Sequence, residues 1–183
     1  MPLSPNEAAD ALRDISSTER RSFSAYGYKS AATFLILWGL LWMVGYGGTD
    51  LWPAQSGNLW LAVVVVGSVI STILGMRAKP KAGRRVDWRI FATWVSALGF
   101  ISSMLTVVGK VDDAQVGALI PLFFAWIYVV MGVWMGWRFA LAGVALATLT
   151  LGGFFFLHQH FLLWMAFVGG STLVATGLWL RRA

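Results

Sequence analysis

Long apolar runs alternate with short polar segments along most of this chain. Each run is continuous and close to the ~20 residues with which an α-helix crosses the hydrocarbon layer of a bilayer. Alternation of apolar and polar residues, as in the strands of a membrane β-barrel, is not the pattern here. The runs predict an all-α polytopic membrane protein, a bundle of six spans at about residues 31–46, 59–76, 89–108, 116–134, 139–157 and 161–180.

A polar segment, residues 1–28, precedes the first run. Ser4 is followed by Pro5 and, three residues later, by Glu7, which is the spacing of a capping box. A helix over about residues 5–21 is predicted. Its narrow apolar stripe includes Leu12 and Ile15. Two interpretations follow: a helix lying on the membrane surface or on the protein's own loops, or a helix that docks a cytoplasmic protein partner.

Positive charge is distributed unequally between the two sets of connecting segments. All but one of the 14 lysines and arginines fall in one set, and the exception, Lys110, is followed closely by Asp112 and Asp113. Cytoplasmic loops carry such an excess of Lys and Arg. Both termini are therefore predicted to be cytoplasmic, which agrees with an even number of spans. One cytoplasmic loop is especially basic, and its cations are predicted to contact anionic lipid headgroups: Arg77, Lys79, Lys81, Arg84, Arg85 and Arg89.

Composition supports a membrane setting and excludes several kinds of chemistry. Hydrophobic residues make up 58% of the chain and charged residues only 12%, against about 25% charged in soluble domains. The chain has no cysteine, so thiolate catalysis, thiolate metal sites and disulfides are excluded. Acidic residues precede the basic ones near the N-terminus, which is the wrong order for a secretory signal peptide. The net charge of +6 comes from basic residues beside the apolar runs, which indicate the orientation of the spans. No nucleic-acid partner is expected.

The middle of every predicted span lacks Asp, Glu, Lys, Arg and His. Ion-coupled transporters and intramembrane hydrolases usually need such residues at depth. No catalytic residue and no cofactor is therefore predicted. The polar residues at depth are serines and threonines, which more often bond to helix backbones than line a path.

Residues Val44, Gly45, Tyr46 and Gly47 resemble the selectivity filter of potassium channels, whose core is Thr-Val-Gly-Tyr-Gly. The resemblance implies a loop whose carbonyl oxygens coordinate an ion. The position of the threonine is occupied by Met43, however, and the apolar run before the motif is the first span itself. We interpret the glycines as the end of the first span and Tyr46 as an anchor at the outer interface.

His158 and His160 are the two histidines of the chain, in the predicted turn between spans 5 and 6. With Asp112 or Asp113 they are candidate ligands of zinc or copper. No metal is predicted, because two histidines in an interfacial turn are common without one.

Small residues and tryptophans predict how the spans pack. Pairs four residues apart let helix backbones approach closely: Gly67/Ser71/Gly75, Ala92/Ser96, Gly99/Ser103, Gly132/Gly136, Gly143/Ala147 and Ser171/Ala175. Trp38, Trp94 and Trp126 lie deep in their spans and are predicted to face other helices, because a buried indole N–H needs an acceptor. Pro121 is predicted to kink span 4 or to lie in its first turns.

The leading functional hypothesis is an integral protein of the bacterial cytoplasmic membrane that acts as a non-enzymatic accessory, sensor or assembly subunit, in contact with membrane lipids. The alternative is a small transporter or channel for an uncharged or lipid-like solute, alone or as a homo-oligomer. The two differ in one observable respect. The alternative requires a continuous polar path through the bundle, lined by the serines and threonines at depth.

Overall fold

A computed structural model of the chain describes Tyr28 and residues 31–77, 88–109 and 112–182. Within these ranges the chain is helical almost throughout and contains no strand, which confirms the all-α prediction. The predicted N-terminal helix over residues 5–21 lies outside the described residues, as do Leu12 and Ile15.

Six main helices occupy the described part of the chain, and short 3₁₀ turns at Pro53–Gln55 and His158–His160 connect two pairs of them. The sixth helix, α6, begins with Phe161–Trp164, widens into a π-helical turn at Met165–Gly169 and ends with Gly170–Arg181. The other five are α1 (Ala31–Leu51), α2 (Ser56–Arg77), α3 (Trp88–Val108), α4 (Asp113–Met135) and α5 (Trp137–Phe156).

Among the described residues, five helices are long and apolar enough to cross a membrane: α1, α2, α4, α5 and α6. They indicate a multi-pass membrane protein. In α3, the apolar stretch Val95–Val108 is shorter than these five, so the sixth span stays a prediction.

The helix ends follow from local signals. Asp112 accepts a hydrogen bond from the Gln115 backbone N–H at 2.6 Å, and the Asp112 N–H donates to the Gln115 side chain at 3.1 Å, which together form a capping box. Pro53 opens the 3₁₀ turn before α2, where its missing N–H costs nothing. One residue, Gly136, separates α4 from α5, and its φ of 123° is a conformation that favours glycine.

The core lies between α1, α4, α5 and α6. Its largest fully buried side chains include Tyr46, Phe139, Phe161, Leu146 and Met165. Helix α2 lies at the edge of this core. Its Trp60 packs against the core, and its Gly67 meets Trp38 and Leu41 of α1. Helix α3 meets α4 through the stacked rings of Phe100 and Phe123, whose centroids are 5.8 Å apart.

Glycines bring the core helices into close contact. A β-carbon on Gly39 of α1 would lie 2.8 Å from the Gly170 carbonyl oxygen of α6, and one on Gly177 would lie 2.7 Å from the Ala32 oxygen. In α5, a β-carbon on Gly143 would lie 2.5 Å from the Ala125 oxygen of α4. The backbones therefore approach too closely for any larger residue, as is common in membrane helix pairs.

Three packing predictions were wrong. Gly99 and Ser103 are exposed, and the space beside Gly99 is open. Ser171 and Ala175 are exposed, because α6 turns Gly170 and Gly177 toward α1 instead. Trp126 is 62% exposed, because α4 turns Ala125 toward α5 and the neighbouring residue then points about 100° away from it. Trp38 does pack against the core.

Candidate functional site

The most distinctive polar feature of the described core is the side chain of Tyr46. It is 2% exposed and its ring meets Trp60 and Trp42 edge to face, with centroids 5.0 and 5.8 Å away. Its hydroxyl donates a hydrogen bond of 2.8 Å to the backbone carbonyl oxygen of Gly117 in α4. Tyr46 is therefore a buried link between α1 and α4. The prediction that it anchors at the outer interface was wrong.

The proline of α4 explains why this carbonyl oxygen needs a partner. In an α-helix the carbonyl of residue 117 accepts from the N–H of residue 121, but residue 121 is Pro121, which has no N–H. The Tyr46 hydroxyl replaces the missing donor. Gly117 lets the ring approach, because a β-carbon there would lie 3.2 Å from Tyr46 Cε1. Neighbouring side chains commonly satisfy the groups that proline frees in membrane helices.

The selectivity-filter resemblance fails on backbone geometry. Residues 44–47 lie inside α1, which continues to Leu51. The carbonyl oxygen of Gly45 accepts a hydrogen bond from the Thr49 hydroxyl at 2.8 Å. Gly45 and Gly48 do not end the helix. They make room for Trp60 and Leu59 of α2.

Two tryptophans bond back to the helix that precedes them. Trp60 Nε1 donates to the Thr49 hydroxyl at 3.0 Å, and Trp164 Nε1 donates to the Leu149 carbonyl oxygen at 2.9 Å. Each indole packs over a glycine of that earlier helix, Gly45 in the first case and Gly153 in the second. These contacts tie α2 to α1 and α6 to α5 at the end of the bundle that also holds Tyr46.

An apolar groove of about 200 Å³ lies between α1 and the π-helical turn of α6. Apolar side chains and one glycine line it: Met43, Gly47, Leu51, Leu163, Ala166 and Phe167. It offers no charged or hydroxyl group to a ligand, so the only chemistry that it favours is contact with another apolar surface.

The intramembrane hydroxyls are mostly occupied by their own helices. Thr72, Thr106, Thr148 and Thr150 each donate to the carbonyl oxygen four residues earlier, at 2.8 to 2.9 Å. Ser71 differs: its buried Oγ lacks a hydrogen-bond partner among the described residues. These four threonine hydroxyls therefore bond within the helices that carry them.

The histidines are exposed in the turn before α6. His158 meets the ring of Phe154 edge to face at 5.2 Å, and Asp112 is occupied by the capping box of α4. Within the part of the chain that the structure describes, no three His, Cys, Asp or Glu residues gather in a way that could hold a metal ion.

The residues predicted to contact lipid headgroups are described only in part. Arg77 is exposed at the end of α2. The backbone of Arg89 lies in the first turn of α3, and its side chain is not among those that the structure describes. Lys79, Lys81, Arg84 and Arg85 lie outside the described residues altogether.

Sequence reasoning missed the link between Tyr46 and Gly117. Pro121 was a usable signal, because a proline within a span identifies the carbonyl four residues earlier as an acceptor in need of a donor. The sequence does not say which side chain supplies that donor. Comparisons with protein-family models, with curated proteins and with solved structures gave no match to this chain.

Proposed function

We propose that this chain is a six-span protein of the bacterial cytoplasmic membrane, with both termini in the cytoplasm, that serves as a non-enzymatic accessory, sensor or assembly subunit for a protein partner. Charge supports the orientation. The arginines whose side chains are described lie at one end of the bundle, at the end of α2, the start of α5 and the end of α6. The described carboxylates, Asp50, Asp112 and Asp113, lie at the end of α1 and the start of α4.

The observation that carries the proposal is how the described interior is filled. Glycines bring backbones into contact at the α1–α6 and α4–α5 pairs. The carbonyl oxygen that Pro121 leaves without a donor, and the indole N–H groups of Trp60 and Trp164, all form hydrogen bonds within the bundle. An interior of this kind suits a scaffold that holds a shape. On this proposal the functional surface lies outside the bundle, on the predicted N-terminal helix.

The partner is proposed to dock on the apolar stripe of that helix. Leu12 and Ile15 are three residues apart and would share a face, and Ser17 would lie on the opposite face. A photo-crosslinking residue at position 12 or 15, in intact membranes, should capture one discrete protein. The same residue at position 17 is the matched control and should capture it much less.

Two outcomes would contradict the docking proposal. One is equal capture from positions 12, 15 and 17, which would indicate non-specific proximity. The other is no captured protein, with unchanged co-purification of membrane proteins when residues 6–21 are deleted.

The groove beside the π-helical turn favours the second candidate function, movement of a lipid-like solute. π-Helical turns occur often at functional sites. The test is reconstitution in liposomes that carry a fluorescent phospholipid in both leaflets, followed by a membrane-impermeant quencher. On the accessory proposal the quenched fraction equals that of protein-free liposomes. If the wild type gave a larger quenched fraction, and Ala166→Phe returned that fraction to the protein-free value, the second candidate would be favoured instead.

A further inference from the structure

Arg138, in the first turn of α5, is surrounded by aromatic rings from three parts of the chain. Its guanidinium carbon lies 5.1 Å from the ring centroid of Trp179 in α6, 5.7 Å from Tyr28 and 6.0 Å from Trp137. Trp137 and Trp179 also meet edge to face at 5.7 Å. The guanidinium is therefore held in place by cation–π contacts, which are within reach at these distances.

Tyr28, one of the rings around Arg138, is itself packed against the bundle. The Tyr28 ring packs against buried Phe139 at 5.5 Å. The Tyr28 hydroxyl lies against Gly136, where a β-carbon would collide with it. The short connection between α4 and α5 thus fixes both the tyrosine and the start of the helix that carries Arg138.

The hydrogen-bonding capacity of Arg138 is unused within the described residues. A guanidinium has five N–H donors in its plane, and contact with ring faces does not occupy them. No carboxylate, carbonyl or hydroxyl oxygen of the described residues accepts a hydrogen bond from it. The start of α5 likewise has no side-chain cap. The described carboxylates lie at the other end of the bundle, near the start of α4 and the end of α1.

We infer that Arg138, held between Tyr28, Trp137 and Trp179, binds the phosphate of an anionic lipid headgroup. Phosphate oxygens match the forked donors of arginine, which bind them in pairs. The level in the membrane favours a lipid over a free ion, because Trp137 is 62% and Trp179 38% exposed, and exposed indoles at helix ends lie at the headgroup level.

Further positive charge lies close to this site in the chain. Arg181 and Arg182 follow Trp179 at the end of α6 and are exposed. The Arg181 guanidinium reaches the Thr33 hydroxyl of α1 at 3.5 Å. The site is separate from the basic loop that follows α2, and the inference does not depend on a protein partner.

The test uses the full-length protein in detergent, with equal amounts of phosphatidylglycerol and phosphatidylcholine added, and native mass spectrometry to count bound lipids. The wild type should retain phosphatidylglycerol in preference. Arg138→Gln should lower its occupancy about tenfold, as expected when hydrogen bonds to a charged group are lost. Arg182→Gln is the matched control, because it removes the same charge from a side chain that has no cation–π contact among the described residues, and it should have a much smaller effect.

Unchanged occupancy in Arg138→Gln, or equal losses in Arg138→Gln and Arg182→Gln, would overturn the site. If Arg138→Gln does not fold, Arg138→Lys takes its place. It keeps the charge without the forked donors, and phosphatidylglycerol occupancy should fall severalfold; unchanged occupancy would again overturn the site.

For the wild type, phosphatidylglycerol should raise the thermal unfolding temperature more than phosphatidylcholine does. If inorganic phosphate displaced the bound phosphatidylglycerol, the inference that the phosphate bound by Arg138 belongs to a lipid would be overturned.

Discussion

At the scale of single residues, the clearest result is that Tyr46 supplies the hydrogen bond that Pro121 removes. The two residues are far apart in the chain and belong to different helices. A carbonyl oxygen without a donor is costly in the interior of a membrane protein, because lipid offers no water to bond it. This gives the tyrosine hydroxyl a structural role that its neighbours Val44, Gly45 and Gly47 do not share.

Tyr46→Phe should lower the free energy of unfolding by about 1 kcal/mol, because it leaves the Gly117 oxygen without a donor. The measurement is unfolding by denaturant in micelles. The matched comparison is the same change in a Pro121→Ala background, where residue 121 regains its N–H and can bond the oxygen. There the loss should be clearly smaller. An equal loss in both backgrounds would show that the carbonyl oxygen freed by Pro121 does not determine the effect of removing the hydroxyl.

At the scale of helices, packing depends on a few glycines of one face. Gly39 of α1 and Gly170 of α6 face each other so closely that a β-carbon on either meets the backbone of the other helix. Gly75 of α2 is exposed, with open space around it. Position on the helix, and not the presence of glycine, decides what each contributes.

This difference predicts opposite signs for the same substitution. Gly39→Ala should destabilise the protein by about 1 to 3 kcal/mol, because the neighbouring backbone cannot move aside without separating the helices. Gly75→Ala, the matched control, should be neutral or stabilise by up to about 1 kcal/mol, because alanine favours the helix over glycine. Unfolding of both variants in micelles measures the contrast. Equal effects would contradict the close contact of α1 with α6.

The two tryptophan contacts show a similarity between helix pairs. Trp60 and Trp164 each open the second helix of a pair, cover a glycine of the first helix and donate a hydrogen bond back to it. These contacts form at the same end of the bundle as the link between Tyr46 and Gly117. Three side-chain hydrogen bonds therefore hold that end together, while cation–π contacts to Arg138 hold the other end.

At the scale of the whole molecule, the proposed six-span topology requires α3 to cross the membrane. The chain has no cysteine, so single cysteines can be introduced without altering other positions. With α3 as a span, Ala82→Cys should react with a membrane-impermeant maleimide only after the cells are permeabilised, whereas Val111→Cys should react in intact cells. Ser17→Cys, before α1, and Gln55→Cys, in the exposed turn between α1 and α2, serve as the references for the inner and outer sides, because their sides do not depend on α3. Reaction of positions 82 and 111 from the same side would leave five spans and place the termini on opposite sides.

Hydropathy along the chain was sufficient to predict the class of protein and the approximate position of the helices. The described α4, α5 and α6 begin and end within three residues of their predicted limits, because apolar length, capping residues and prolines act locally. The first helix extended further than predicted, to Leu51. Glycine is a weak local stop signal, and tertiary contacts with Trp60 and Leu59 account for Gly45 and Gly48 in the helix interior.

The sequence by itself determined the secondary structure and charge distribution of this protein: apolar helices of membrane length, short connecting segments, and positive charge concentrated in one of the two sets of connecting segments. The tertiary structure alone decided what individual side chains do. It turned Tyr46 toward Gly117, turned Trp126 outward, and placed Trp179 and Tyr28 beside Arg138. The physical reason is the distance along the chain over which each interaction acts. Helix formation and membrane partition depend on neighbouring residues, whereas these contacts join residues that meet only when the helices pack at one particular rotation and depth.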